Sequence, residues 1–238
     1  MSEVPAAPRV VLVTGGTRGI GAACVRKLAE EGARVVFTGR DREAGQALAA
    51  EISRSVFVAG DASVEADCRR AVDAALDLGG GRLSGLVNNA GSAFLFTRHA
   101  LQGLRAGGGA VVMMSSIAGL AGERGLAIYT ASKAASIGPT YALALEYGSQ
   151  VRFNAICPGQ IATRMMGRTL EIPGRRQMLE ARIPVHRLGN AEDVAEAVSW
   201  LLSPASSFID GVALAVDGGE TAGFMTPPSP AGAENTPA

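Results

Sequence analysis

"RVVLVTGGTRGIGAACVRKLAEEGARVVFTGR", Arg9 to Arg40, is the stretch whose reading decides the fold. A β-branched run, Val10–Val13, breaks into glycine, a helical pattern covers about 18–31, and a second apolar run, "ARVVFT", closes the unit. Two short apolar strands joined by one helix pair in parallel, and the crossover is right-handed. The turn "TGGTRGIG", Thr14–Gly21, lies where the first strand feeds the first helix. There a diphosphate can rest on free backbone N–H groups and on the positive end of the helix dipole. Gly15 permits the tight turn, Gly19 the close approach of phosphate, and Gly21 the packing of helix on strand. The spacing is GxxxGxG, not GxGxxG. A glycine-rich turn with no ligand is the competing reading, and the position directly after the first strand favours the nucleotide.

Outward from that unit the alternation continues. Helical patterns cover about 41–53, 63–78, 92–106, 128–148 and 191–202, and strands read as "SVFVAG", "SGLVNN", "GAVVMMSS", "VRFNAICP" and "VALAVDGG". The fold expected is α/β: a single-domain Rossmann fold with a doubly wound, seven-stranded parallel sheet and helices on both faces. One domain is read over 1–225, including an irregular substrate lid at about 163–187. The Pro-rich 226–238, "TPPSPAGAENTPA", has no apolar periodicity and reads as a disordered tail.

Composition excludes several function classes. Lys+Arg and Asp+Glu balance at 22 each, with pI ≈ 6.7, so no global charge favours nucleic acid or an anionic membrane as partner. Cys24, Cys68 and Cys157 are scattered and odd in number, which suggests buried small side chains rather than a disulfide framework. His99 and His186 have no companion at ligand spacing, so no metal site is expected. The N-terminal apolar run is too short for a signal-peptide core or a membrane span, and a soluble cytoplasmic protein is expected.

The end of the second strand bears on the choice of nicotinamide cofactor. An acid there would hold the ribose 2′-hydroxyl and repel a 2′-phosphate. Gly39 takes that place, Arg40 follows, and Arg18 in the glycine turn can reach the same phosphate, so NADP(H) is favoured over NAD(H). Against this, Arg40 could be a solvated loop residue, with Asp41 beside it. Further on, "YTASK" sets Tyr129 and Lys133 one helical turn apart on one face. A free phenol titrates near pH ~10, too high for a good base near neutrality. A nearby ammonium stabilises phenolate. Such a pair can exchange a proton with a substrate oxygen while hydride moves to or from nicotinamide. Ser116, at the end of "AVVMMSS", can hydrogen-bond the same oxygen. YxxxK alone is a common accident; with a serine at a strand's C-terminal end and the glycine turn upstream it is a specific signal.

Together these residues resemble the short-chain dehydrogenase/reductase (SDR) family. Its motifs appear in order: "TGGTRGIG", Asp61–Ala62, "NNAG" at Asn88–Gly91, Ser116, "YTASK", "NAICPGQIAT", "HRLGNAEDVA" and "FIDGVALAVDGG". The resemblance implies strand order 3-2-1-4-5-6-7 and a homotetramer or homodimer. It implies Tyr129 as acid/base, Lys133 binding the nicotinamide ribose and tuning Tyr129, and Ser116 orienting the substrate oxygen. Cofactor contacts are implied at Gly15, Thr17, Arg18, Gly19, Ile20 and Gly21 of the turn, and at Arg40, Asp61 and Ala62 near the adenine end. Asn89 would line the ribose, Ile161 and Thr163 would meet the carboxamide and phosphates, and Ala90, Gly91, Tyr129, Lys133, Pro158 and Gly159 are implied as further cofactor contacts.

One departure stands out. In that family roughly two dozen residues, including one helix, separate NNAG from a second asparagine, which opens the next helix and through its backbone helps hold a proton-relay water beside the lysine. Here "SAFLFTRHALQGL" resumes that helix at once, and by spacing Asn89 would have to serve as both asparagines. The alternative to an active reductase is therefore a catalytically weakened nucleotide-binding relative. In the lid, Met165, Met166, Leu170 and Ile172 suit a hydrophobic carbonyl or secondary alcohol. Arg164, Arg168, Arg175, Arg176 and Arg182 could greet an acyl carrier protein, as in the 3-oxoacyl-carrier-protein reductases, although Glu171 and Glu180 dilute the patch and solvated charge is the simpler reading.

Overall fold

The computed structural model describes residues 9–90 and 93–223. Strand β1 (Val10–Thr14) lies inside the sheet, paired in parallel with β2 (Arg34–Gly39) on one side and β4 (Gly85–Asn88) on the other. Beyond β2 lies β3 (Ser55–Ala59); beyond β4 come β5 (Ala110–Met114), β6 (Arg152–Pro158) and β7 (Ala213–Val216), giving the order 3-2-1-4-5-6-7 with every pairing parallel. The chain reverses its winding between β1 and β4. Loops on either side diverge there, which opens a crevice at the C-terminal ends of the strands.

Alternate residues of β1 feed two separate cores. Val11 and Val13 join Cys24, Leu28, Phe37, Val198 and Leu201 under helices α1 (Gly19–Glu30) and α9 (Ala191–Leu202), with Leu48 of α2 (Arg42–Glu51) at the margin. Val10 and Leu12 join Cys68, Val72, Phe96, Leu104 and Phe153 under α3 (Glu65–Leu78) and α4 (Ala93–Gly107). With both faces covered, β1 can be apolar at every position. All three cysteines are free and buried.

The expected helices appear within a few residues of their predicted ends. Helix α9 matches over 191–202 because Asn190 and Asp193 cap it reciprocally: the Asn190 side chain accepts from the Asp193 N–H at 2.7 Å, and the Asp193 carboxylate accepts from the Asn190 N–H at 2.8 Å. The sequence reading gave no helix between β5 and the YTASK helix, yet α5 (Ile117–Leu120) forms there, capped by the Ser116 hydroxyl, which accepts from the Ala118 N–H at 3.2 Å. The YTASK helix is α6 (Ala127–Tyr147). The lid is a 3₁₀ turn, Arg164–Met166, followed by α7 (Gly167–Leu170) and α8 (Arg175–Glu180). Met166 and Leu170 fold inward onto Leu179, Ile183 and Leu188, a small core of the lid's own. The tail 226–238 lies outside the described residues. Among the described residues no helix is long and apolar enough to cross a membrane.

Candidate active site

The glycine turn is built by close approach. Gly15 (φ +62°) and Gly19 (φ +53°) occupy left-handed backbone that disfavours a side chain. A Cβ on Gly15 would lie 2.5 Å from that of Ala90, and one on Gly21 would collide with the Gly15 carbonyl oxygen. The turn is also tied to the end of β4. The Thr14 hydroxyl donates to the Ala90 carbonyl at 2.8 Å and accepts from the Ala90 N–H at 2.9 Å. Asn89 spends its side-chain amide hydrogens on the Thr14 and Gly15 carbonyls, at 3.0 and 3.1 Å. From the opposite side Thr163 reaches the turn, its Cγ2 lying 3.8 Å from where a Gly19 Cβ would stand. Backbone donors and the start of α1 thus face a space kept open by missing side chains, which fits a dinucleotide diphosphate.

Beyond the turn a groove of ≈ 660 Å³ runs past Thr17, Arg18, Gly39, Arg40, Asp61, Ala62 and Ala90. This brings together the residues expected at the adenine end. Both arginines already face acids. Arg18 Nε donates to Asp41 at 3.0 Å, and Arg40 lies 3.9 Å from Asp61. Asp41 is held below the ordinary carboxyl range first by the Ala44 N–H that it caps and then by Arg18; Asp61 is held low first by the Ser63 N–H and then by the Ser63 hydroxyl. Asp61 therefore has a structural part, fixing its own turn, that the sequence reading did not include.

Ser116 stands two residues past β5, as the N-cap of α5, while Tyr129 and Lys133 lie on α6, the helix that follows. The Lys133 ammonium is 5.7 Å from the Tyr129 ring centroid, so both side chains point from one face of the helix. It donates to the Met114 carbonyl at 3.3 Å, and burial holds it below the ordinary lysine range. Behind it lies the Cys157 thiol, which burial raises while the Ser115 hydroxyl, the Ser116 N–H and the Lys133 charge act the other way. Pro158 and Gly159 close β6; a Gly159 Cβ would come within 2.7 Å of that of Asp217. Ile161 is buried and bridges to Gly189, which carries Thr163 toward the glycine turn. Ile20 packs against the core from α1. Gly91 lies outside the described residues.

The family model described as short chain dehydrogenase matches residues 9–93, and the one described as Enoyl-(Acyl carrier protein) reductase matches residues 90–221, more than half of the chain. The chain belongs to the SDR family. It is an oxidoreductase acting on alcohol or carbonyl groups, with a nicotinamide dinucleotide as cofactor. Among similar proteins, 2-(S)-hydroxypropyl-CoM dehydrogenase 3 of Xanthobacter autotrophicus is 36% identical, over 90% of this chain and 96% of its own. A protein of the same organism named Inactive 2-(S)-hydroxypropyl-CoM dehydrogenase 2 is 37% identical over 83% of this chain and 99% of its own. A solved structure titled as an SDR glucose/ribitol dehydrogenase, from Brucella melitensis, superposes with a TM-score of 0.84 at 29% identity, covering 92% of this chain and 97% of that one.

The first of these alignments runs over 250 positions, while 90% of this 238-residue SDR is about 214 residues, so about 36 aligned positions carry no residue of this chain. The two family models meet at residues 90–93, at the short junction after NNAG. The Asn89 side chain serves the glycine turn, to which both of its amide contacts go. Sequence reasoning missed three participants: Thr14, whose hydroxyl ties the turn to Ala90, and Ser115 and Cys157, which stand behind Lys133. Only the "SS" pair at 115–116 hinted at Ser115.

Proposed function

We propose that this SDR is an NADP(H)-dependent carbonyl reductase or secondary alcohol dehydrogenase in which Ser116, Tyr129 and Lys133 act on the substrate oxygen. The observation that carries the reading is the Tyr129–Lys133 pair, its ammonium partly buried 5.7 Å from the phenol ring, at the strand edge that holds the glycine cradle. The bound cofactor supplies or accepts hydride at nicotinamide. In reduction Tyr129 gives its hydroxyl proton to the carbonyl oxygen as the hydride reaches the carbonyl carbon, and in oxidation it takes that proton back. Lys133 stabilises the phenolate left behind, and Ser116 donates to the same oxygen. NADP(H) is favoured because Gly39 ends β2 where an acid would exclude a 2′-phosphate, and two exposed guanidinium groups border the groove. The lid leaves Met165 and Ile172 exposed as apolar groups for a carbonyl or secondary alcohol, Met166 and Leu170 being packed in the lid's own core, and one relative is named for a hydroxypropyl compound. Glu180 and Glu220 each engage a lid arginine, Arg176 and Arg182, which weakens the case for an acyl carrier protein. A cytoplasmic homodimer or homotetramer is the state proposed, and the apolar exposed face of α6 supports the assembly.

The test is NADPH oxidation with a panel of small ketones, beside Tyr129→Phe. Turnover that falls by about 100-fold or more in the variant supports the reading, general acid catalysis being worth roughly 10²–10⁴-fold. A second reading, a nucleotide-binding SDR with weakened turnover, is favoured by the short junction and by the relative named inactive. Tight NADPH binding without any Tyr129-dependent turnover would select it.

A further inference from the structure

We infer that Ser115, the buried neighbour of Ser116, is a positioning residue that fixes where Lys133 stands; the inference rests on the Tyr–Lys reading just given. Ser115 is 3% exposed, so it is closed off from substrate. Its hydroxyl donates to the backbone carbonyl of Lys133 at 2.8 Å, and its N–H donates to the Ile156 carbonyl of β6 at 2.8 Å. One residue thereby joins the end of β5, β6 and α6. Lys133 is held at both ends by consecutive residues, its carbonyl by Ser115 and its ammonium by the Met114 carbonyl at 3.3 Å.

Two further observations give this bond weight. Helix α6 is seated mainly by its C-terminal part: Ile137 and Thr140 are buried and Leu143, Ala144 and Tyr147 pack on the core, while none of residues 127–136, the part that carries Tyr129 and Lys133, is fully buried. Gly119 of α5 closes the same point, since a Cβ there would lie 2.8 Å from the Ser115 hydroxyl oxygen, 2.9 Å from the Lys133 carbonyl carbon and 3.0 Å from the Ala134 nitrogen. Adding a methyl at Gly119 must push α6 away from β5. Removing the hydroxyl at Ser115 lets it drift.

The chain contains two lysines, Lys27 and Lys133, so protein labelled with ¹³C-lysine gives two side-chain signals and an internal control. Ser115→Ala is expected to move the Lys133 signal, leave that of Lys27 in place, and lower kcat by about 10- to 100-fold, the order expected from a small misplacement of a reacting group. NADPH affinity should change far less, because the glycine turn is untouched. Gly119→Ala should reproduce the same pattern from a second element, and Ser115→Thr, which keeps the hydroxyl, should retain most of the turnover. Parent-like Lys133 signals and kcat in both Ser115→Ala and Gly119→Ala would overturn the inference. Failure of the underlying reading looks different: Tyr129→Phe would keep its turnover, while the Lys133 signal in Ser115→Ala would still report whether the pin exists.

Discussion

Asp41 does two jobs with one carboxylate. One oxygen accepts from the Ala44 N–H at 3.0 Å and caps α2, while the other receives Arg18. A 2′-phosphate entering the groove must share or displace that partner. Replacing Asp41 by asparagine keeps an acceptor for the cap but releases Arg18 from a charged rival. We therefore expect Asp41→Asn to tighten NADPH binding several-fold relative to NADH, and Arg18→Ala with Arg40→Ala to lose that preference; fluorescence titration with the two cofactors measures both. Unchanged ratios in all variants would place the 2′-position elsewhere. At this scale the sequence was legible where chemistry demands a particular residue. Of 22 basic residues only two are lysine, and one of them stands at position 133, where a compact ammonium that burial can tune serves better than a guanidinium. Ser115 was not legible: a hydroxyl bonded to a carbonyl 18 residues away leaves no local signature.

Elements followed periodicity, and they escaped it where they were short. Helix α5 has four residues, less than the span over which an apolar period shows, and only the capping serine marks it. The lid was read as irregular because its helices, of four and six residues, are also brief, yet it is fastened at its far end by Glu220. That side chain is 3% exposed; one carboxylate oxygen accepts from Arg182 at 2.8 Å, and the other is buried among the described residues without a partner. Burial raises its pKa although Arg182 pulls the other way. A carboxyl raised on folding holds its proton to higher pH in the native state than in the unfolded chain. Its stability contribution is therefore present at low pH and declines as pH climbs from the unfolded value, ~4.3, through the raised native one. Glu220→Gln keeps an acceptor for the exposed Arg182 and removes the buried charge. Its melting temperature should vary less than the parent's between about pH 4.5 and 7 and should equal or exceed the parent's at pH 7; a clear loss at pH 7 would show that the ion pair outweighs the burial.

For the whole molecule the fold was nearly all legible, since two cores on opposite faces of one sheet require the near-continuous apolar strands seen in "VVLV" and "GAVVMM". The assembly was not, because a helix's apolar periodicity marks the face turned to the core but does not say which exposed face a second copy covers. The exposed surface of that helix carries Ile128, Tyr141 and Leu145, with Leu145 91% exposed, and Phe94 of α4 is 72% exposed. A helix apolar on nearly every side is ordinarily covered, and a patch of this kind marks an interaction surface. If a second copy covers α6, a charge at Leu145 must be desolvated on association, a cost of several kcal/mol for an unpaired buried ion. Leu145→Glu should then shift the protein to a smaller species in size-exclusion chromatography with light scattering, while its circular dichroism spectrum stays that of the parent. Leu145 lies more than three helical turns from Lys133, about 18 Å along the axis at the usual rise, so NADPH binding should survive in the smaller species. An unchanged mass would leave α6 facing solvent and set the subunit contact, if one forms, on another face.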